Sequence, residues 1–408
     1  MPKRGLGMNV LQAAEERIAW TFDNFDKVYL SFSGGKDSSV MLHLVMDEAR
    51  RRHRKVGVFF LDWECQITLT IDYVRDMFHR YRDMILPYWV ALPVKTWNAC
   101  SQYEPEWTAW DPDKRDLWVR EPDPLSITDA RMFPFYYEGM PFEELVPAFG
   151  EWFADGERAA CFVGIRADES LNRFRTVARK NKPTYGGKPW TTNAIADVWN
   201  VYPIYDWRVA DVWTYLCGQR KPYNRLYDRM FQAGVTPHQM RICEPFGDEA
   251  RKGLWLYQVV EPEMWAKVSL RVAGANTGAL YSREKGAVMG NHQIGLPEGH
   301  TYKSFAEHLL STMPPATAQH YKNKVAVYLK WWSVRGYEGG IPDEAPIRLE
   351  SAGKIPSWRK IVKTFLKNDY WCKGLGFSPT KSSAYIKYQA LMARRRKEWG
   401  IFAEDVAA

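Results

Sequence analysis

One short stretch constrains this chain more than any other. Lys27-Val28-Tyr29-Leu30-Ser31-Phe32 reads as a strand, and a helical pattern runs from Ser38 through Arg52 with Val40, Met41, Leu44 and Val45 on one face. Between them stands Ser33-Gly34-Gly35-Lys36-Asp37-Ser38-Ser39. A strand that enters a helix through two adjacent glycines makes a tight turn and lets an anion approach the backbone closely. The start of the helix offers N–H groups with no partner one turn back, and the positive end of its dipole. Ser33, Ser38 and Ser39 add hydroxyls and Lys36 adds a point charge suited to phosphate. Asp37 does not favour a bare phosphate, so the expectation is that it holds Mg²⁺ against the phosphates. The stretch is not a Walker A loop, which needs G-x-x-x-x-G-K-[ST]. The competing reading is a Ser/Gly turn that merely caps a helix.

The pattern continues downstream. Val56-Gly57-Val58-Phe59-Phe60-Leu61 is apolar throughout, as suits a strand covered on both faces of a parallel sheet. Ile67 to Tyr81 reads as helix, and Met84 to Leu92 as a third strand that Pro87 weakens. Cys161 to Ile165 and Val198 to Ile204 read as a fourth and a fifth. Strands alternating with helices predict a doubly wound, mainly parallel α/β sheet. Trp97 to Pro124 is rich in Trp, Asp and Pro without periodicity, which predicts an insertion over the ligand face, spanning about 95–150. After Pro237 the character changes. Helical patterns at Ser304–Leu310, Ala318–Val334, Trp358–Asn368 and Ser382–Trp399 predict a second, mainly helical domain. The expected division is 1–240 and 241–408.

A chain of 408 residues fits two domains better than one. The net charge of +8 favours an anionic partner, a nucleotide or nucleic acid. No apolar stretch is long enough to span a bilayer, and Met1-Pro2-Lys3-Arg4-Gly5 leads into no signal-peptide core, so a cytoplasmic location with no membrane association is expected. The six cysteines include no C-x-x-C pair and the eight histidines no H-x-x-x-H. Neither an iron–sulfur cluster nor zinc is therefore expected.

Ser-Gly-Gly-x-Asp-Ser after a buried strand resembles the PP-loop signature of the adenine-nucleotide α-hydrolase superfamily. Gly164-Ile165-Arg166-Ala167-Asp168-Glu169-Ser170-Leu171-Asn172-Arg173 resembles the G-[IL]-R-x-x-[EQ]-S-x-x-R run of its phosphoadenosine phosphosulfate (PAPS) reductase-like branch. Tyr202 to Leu216 resembles a third landmark of that branch, and on physical grounds reads as an Asp-initiated helix packing Val212, Trp213 and Leu216. The resemblance runs from about Lys27 to Phe246. It implies that Arg166, Glu169 and Arg173 face the anionic groups of a bound nucleotide, and that Asp62, with Glu64, lies beside it. On the residues alone, Asp62 and Glu64 read equally as a helix cap or solvated charges, and 166–173 as a salt-bridged surface helix.

The reductases' E-C-G-[IL]-H cysteine motif has no counterpart here; Cys243 in Arg241-Ile242-Cys243-Glu244-Pro245-Phe246-Gly247 is the best remaining thiol, and it reads also as a half-buried core cysteine. That stretch, with Ser357-Trp358-Arg359-Lys360 and Asn368 to Phe377, resembles a subgroup carrying its own C-terminal domain, the immunoglobulin-binding regulator A type. This resemblance implies a ParB-like partner and a setting on phage or mobile elements. Lys354, Trp358, Arg359, Lys360, Lys363, Lys367, Tyr370, Trp371 and Arg394-Arg395-Arg396-Lys397 interleave cations with rings, which suits nucleic acid and equally a solvated helix.

Three functions follow as expectations. The first is an enzyme that cleaves ATP at the α-phosphate or adenylates an acceptor, with Lys36, Asp37, Arg166 and Arg173 acting on the developing charge. The second is a PAPS-dependent sulfotransferase or reductase using an outside thiol. The third is a nucleotide-sensing regulatory or DNA-associated protein.

Overall fold

The structure, a computed structural model, describes residues 5, 7–101, 103–179, 182–242, 244–247, 251–281 and 296–377. The chain divides into two compact units. The first holds Met1–Val94, Thr108–Pro245 and Val259–Met264.

Its centre is a six-stranded sheet. In chain order the strands are β1 (Lys27–Ser31), β2 (Val56–Leu61), β3 (Ile85–Val90), β4 (Ala159–Val163), β5 (Thr191–Ile195) and β6 (Val198–Val201). Their spatial order is β3-β2-β1-β4-β6-β5. All neighbours are parallel except the β5–β6 hairpin, which pairs Thr191 with Val201. The doubly wound α/β expectation therefore holds. Pro87 is accommodated because β3 is the edge strand, where its missing N–H breaks no ladder. The hairpin strand β5, polar Thr-Thr-Asn-Ala-Ile, was not anticipated, and β6 ends at Val201 rather than at Ile204.

Helices cover both faces. α1 (Val10–Asn24), α2 (Lys36–Arg51), α3 (Thr68–Arg80) and α6 (Val209–Gly218) build one layer, and α4 (Phe142–Ala154) lies on the other; α5 (Leu171–Ala178) and α7 (Leu226–Gln232) complete the unit. Side chains sort by the two-residue period of the strands. Val28 and Leu30 of β1, with Val56, Val58 and Phe60 of β2, join the core built on α1, α2 and α3. Tyr29 and Phe59 point the other way onto Phe149 of α4, with ring centroids 5.5 and 4.3 Å away. Every residue of β2 is buried, which is why its sequence carries no alternation.

Asp206 does not start α6. It accepts both terminal nitrogens of Arg17 at 2.8 Å, while Asp211 caps the helix through the Arg208 N–H at 2.7 Å. Val212 and Leu216 are buried as expected, and Trp213 is half-buried.

The second unit gathers Lys95–Trp107, Phe246–Gln258 and Trp265 onward. Part of the stretch expected as an insertion thus belongs to it: Asn98 donates to the Ala273 carbonyl at 2.9 Å, and Asn368 to the Ser101 carbonyl at 3.0 Å. Its helices include Tyr302–Thr312, Pro315–Ser333 and Trp358–Leu366, packed around Tyr321, Val325, Ile361, Val362 and Phe365. The helix expected at Ser382–Trp399, the cluster Arg394 to Lys397 and Cys243 lie outside the described residues.

Candidate functional site

The strand order reverses between β1 and β4, and the carboxyl ends of these neighbours form the topological switch point, the position at which doubly wound sheets bind ligands. β1 delivers Ser33 to Ser39 there, and β4 delivers Gly164 to Arg173. Two motifs about 130 residues apart therefore meet because of the winding.

The loop is held from several sides. Gly34 sits at φ +71°, a left-handed conformation that glycine adopts without strain. Asn224 donates to the Gly34 carbonyl at 3.1 Å. The Tyr227 hydroxyl accepts the Lys36 N–H at 2.8 Å. The Ser38 and Ser39 hydroxyls both donate to the Gly35 carbonyl, at 3.0 and 2.8 Å, and Ser33 Oγ lies 3.0 Å from Ser38 Oγ. Ser39 also accepts from Tyr73, whose hydroxyl burial holds well above the ordinary range for a phenol. These serine hydroxyls, expected to face a phosphate, thus knit the loop together. One layer deeper, His43 is fully buried. Its Nε2–H must donate to the Pro222 carbonyl at 2.8 Å, so Nδ1 accepts from Tyr81 at 2.7 Å. Burial pushes the His43 pKa down to about 4.

Charge collects at the first turn of α2. Asp37 accepts from Arg166 Nε at 2.5 Å on Oδ1, and its Oδ2 lies 3.2 Å from Lys36 Nζ. Lys36 Nζ also donates to the Met240 carbonyl at 3.0 Å. The side chains of Lys36 and Arg166 are only 4% and 3% exposed, and Arg166 Nη1 lies 3.7 Å from the Asp168 carboxylate, so this is a desolvated cluster of two cations and two carboxylates. Arg166 Nη1 is buried and has no hydrogen-bond partner among the described residues. Asp168 Oδ2 stands 3.7 Å from this nitrogen, an ion-pair contact too long for a hydrogen bond, so an anion's oxygen beside the helix N-terminus would supply the acceptor it lacks. Gly164 packs against this turn: a Cβ there would lie 3.0 Å from the Asp37 carbonyl group and the Ser38 nitrogen.

Glu169 and Arg173 stand next to this cluster. The helix begins at Leu171, with the Ser170 side chain accepting the Arg173 N–H, so Glu169 precedes it rather than sharing its face. Glu169 still pairs with Arg173, and a second arginine, Arg241, reaches it with Nε 3.7 Å from the carboxylate and Nη2 donating to its carbonyl at 3.0 Å.

Asp62 and Glu64 are placed differently from a nucleotide contact. Both are fully buried. Asp62 pairs with Arg120 and accepts from Trp89 Nε1 and the Glu64 N–H, each at 2.9 Å. Glu64 accepts the backbone N–H groups of Trp110 and Val119 at 2.8 and 3.3 Å. The two carboxylates tether the inserted segment 108–127 to the end of β2. Asp37 is also poorly suited to the metal role expected of it. Each of its oxygens faces a cation, and no group of three His, Cys, Asp or Glu side chains among the described residues converges as a metal cage. A Mg²⁺ ion held through one carboxylate needs that carboxylate unpaired. Sequence reading passed over Asn224, Tyr227, Met240 and the site role of Arg241, which are adjacent to the loop only after folding.

A doubly wound α/β unit with a glycine-turned helix start and a buried arginine beside it defines an anion-binding class of protein. Within that class the chain belongs to the phosphoadenosine phosphosulfate reductase domain family, whose model matches residues 27–234. Residues 234–345 and 339–385 match a second family, described as a domain of unknown function (DUF3440). A protein of Escherichia coli (strain K12), described as uncharacterized protein YbdN, is 47% identical over 403 residues, covering 98% of both chains. An adenosine 5′-phosphosulfate reductase of Halalkalibacterium halodurans is 22% identical over 239 residues, 58% of this chain and 84% of that one. Among solved structures, a PAPS reductase from Candida auris in a phosphate complex is similar at 15% identity and a TM-score of 0.32, over 56% of this chain and 93% of its own. No helix among the described residues is long and apolar enough to cross a membrane.

Proposed function

We propose that the first unit binds an adenine nucleotide with its phosphates at the start of α2, and acts on it at the α-phosphate. The observation that carries this reading is Arg166, whose buried Nη1 makes no hydrogen bond beside the helix N-terminus and has only the Asp168 carboxylate, 3.7 Å away, as an ion-pair contact. An acceptor oxygen attacks the α-phosphorus, the bond to the bridging oxygen breaks, and pyrophosphate leaves as the acceptor gives up its proton. With water as acceptor the products are AMP and pyrophosphate; with another hydroxyl or carboxylate an adenylated product forms. Lys36 and Arg166 face the leaving group's charge, Arg173 supports its outer end, and Gly34 and Gly35 let the backbone approach. Asp37 holds the two cations in place, with one oxygen on Arg166 and the other facing Lys36. ATP incubated with the protein yields AMP and pyrophosphate on this reading, and Arg166→Ala abolishes it. Turnover unchanged in that variant refutes the assignment.

Family membership favours a second reading, with a sulfonucleotide such as PAPS as ligand and an outside thiol as reductant. The thiol attacks sulfur, the nucleotide leaves as adenosine 3′,5′-bisphosphate, and a further thiol releases sulfite. Sulfite in place of pyrophosphate distinguishes the two. The cation excess supports nucleic acid as a further ligand of the second unit. That unit holds 25 Lys and Arg against 15 Asp and Glu, while the first holds 31 against 33. Duplex binding that weakens steeply with salt tests this, and co-purification of a ParB-like protein tests the partner implied by the regulator A resemblance.

A further inference from the structure

Three helices of the first unit enclose a cavity away from the phosphate loop. On α1, Leu11, Glu15, Ile18 and Ala19 recur at the helical period and form one stripe. On α2, Leu44, Asp47, Glu48 and Arg51 do the same. The two stripes line a cavity of about 550 Å³, with Tyr215 of α6 and the following Lys221 as its third wall. Leu44 stands about 12 Å from Lys36 along the axis of α2, so the cavity is separate from the nucleotide site.

Its polar groups are unevenly satisfied. Asp47 pairs with Lys221 at 2.7 Å and with Arg50 at 3.4 Å, and Glu48 pairs with Arg51 and Arg52. Glu15 and Glu16, on the α1 side, have no ion pair among the described residues. Burial pushes the Glu15 carboxyl up in pKa, and the Asp47 and Glu48 carboxylates add to it, so Glu15 looks onto negative charge. The Tyr215 hydroxyl is an independent observation. The residue is 7% exposed, and its oxygen, closed to water, makes no hydrogen bond among the described residues. Burial first, then Asp47, Tyr81 and Glu15, hold its proton far above the ordinary phenol range, so it is neutral and stands within the field of those carboxylates. A buried hydroxyl without a partner is costly, and here it lines a cavity.

We propose that this cavity binds a small organic cation, an aliphatic ammonium ion whose hydrocarbon body lies along α1 and α2 and whose charged head sits between Glu15 and the Tyr215 hydroxyl. The head donates one N–H to the phenol oxygen and another to the Glu15 carboxylate. The body covers Leu11, Ile18, Ala19 and Leu44, carbon surface for which a metal ion has no use. No group of three His, Cys, Asp or Glu side chains among the described residues could hold a metal ion, so the donor set suits an organic cation better. The volume falls within the roughly 300–1,000 Å³ of small-molecule pockets. The phenol oxygen is reached once the exposed Glu15 side chain turns to meet the ammonium head, a rotamer change of a kind common on binding. This site stands whether or not the phosphate loop turns over a nucleotide.

Calorimetry on the full chain tests it with hexylammonium chloride as the probe, against hexanol and sodium hexanoate, which keep the carbon chain and change the charge. Hexylammonium binds saturably, at least about tenfold more tightly than either control. Tyr215→Phe weakens it about tenfold, while the melting temperature without ligand stays equal or rises because the unpaired hydroxyl is gone. Glu15→Gln, a change at an exposed position of α1, weakens it about fivefold and leaves melting unchanged. Hexanol binding as tightly as hexylammonium overturns the proposal, and so does wild-type affinity in either variant or an absence of saturable binding. A lower melting temperature in Tyr215→Phe shows that the hydroxyl serves the fold, and that result overturns it too.

Discussion

Asp37→Asn is the most informative single change, because two accounts of the site disagree on its sign. The carboxylate lies 2.5 Å from Arg166 and 3.2 Å from Lys36, and both cations are almost wholly buried. At an effective dielectric of about 20, each attraction is on the order of 5 kcal/mol before desolvation. Breaking a buried pair by deleting one partner typically costs about 3–5 kcal/mol, since the remaining charges have nowhere to go. In buffer free of phosphate the variant is therefore expected to melt about 10 °C lower. Added pyrophosphate, supplied with a chelator so that no divalent cation takes part, should restore much of that loss. In the wild type the ligand must first displace Asp37 from Arg166 and Lys36; in the variant only the Asp168 carboxylate, 3.7 Å from Arg166 Nη1, still opposes it. Affinity should rise at least about tenfold, equivalent to about 1.4 kcal/mol. Calorimetry and thermal melting on both proteins measure this. If Asp37 instead serves as a metal ligand, the substitution weakens binding, and only when Mg²⁺ is present. Equal or weaker pyrophosphate binding by Asp37→Asn under chelation would refute the idea that Asp37 occupies the place of an anion.

Other substitutions probe the supports. Gly164→Ala puts a methyl 3.0 Å from the backbone of the first turn of α2, which must give way; a cost of about 1–3 kcal/mol and loss of anion binding are expected, and unchanged binding would show that the close packing is slack. Asp62→Asn leaves Arg120 without its buried partner, costing about 3 kcal/mol, and should open segment 108–127 to limited proteolysis; a wild-type cleavage pattern counts against the tether. The folded-state pKa of His43 lies below the unfolded value, so its stabilisation is complete above about pH 6.5 and fades as pH falls toward 4. Chemical denaturation should show a loss of about 2 kcal/mol between pH 7.5 and 5 that is missing in His43→Gln, and an identical slope in the variant would place the proton elsewhere.

What could be read beforehand was local. The loop declares itself because Gly34 and Gly35, the preceding apolar strand and the following amphipathic helix are contiguous, and their geometry is a property of those residues. The same holds for β2, whose unbroken apolar run needs cover on both faces. A carboxylate at a strand end is another matter. Asp62 follows β2 in the position where a ligand contact belongs, but its partner Arg120 is 58 residues away, in a stretch with no periodicity to place it. Nothing in Leu61-Asp62-Trp63-Glu64 distinguishes a carboxylate facing a nucleotide from one roofed by an insertion. The hairpin strand β5 was missed for a related reason: Thr-Thr-Asn-Ala-Ile is too short and too polar to show an apolar run, and only pairing with β6 makes it a strand. Arg241 was noted only as a neighbour of a cysteine, since its nearness to Glu169, 72 residues earlier, arises from folding.

The division of labour in the site follows from which groups are already satisfied. Asn224 and Tyr227 fix the backbone of the loop, the serine hydroxyls fix its turn, and Met240 and Asp37 fix the lysine. None of these bonds requires a ligand, so the loop's shape is paid for by folding and little reorganisation remains at binding. What folding leaves incomplete is one guanidinium nitrogen, Arg166 Nη1, which is buried and makes no hydrogen bond although Asp168 stands 3.7 Å away. An anion's oxygen supplies that acceptor at the start of α2, where the helix dipole also favours negative charge. Selectivity for negative charge is thus set by the bonds the protein cannot complete by itself, and Asp37 limits how strongly a weak anion can compete for them.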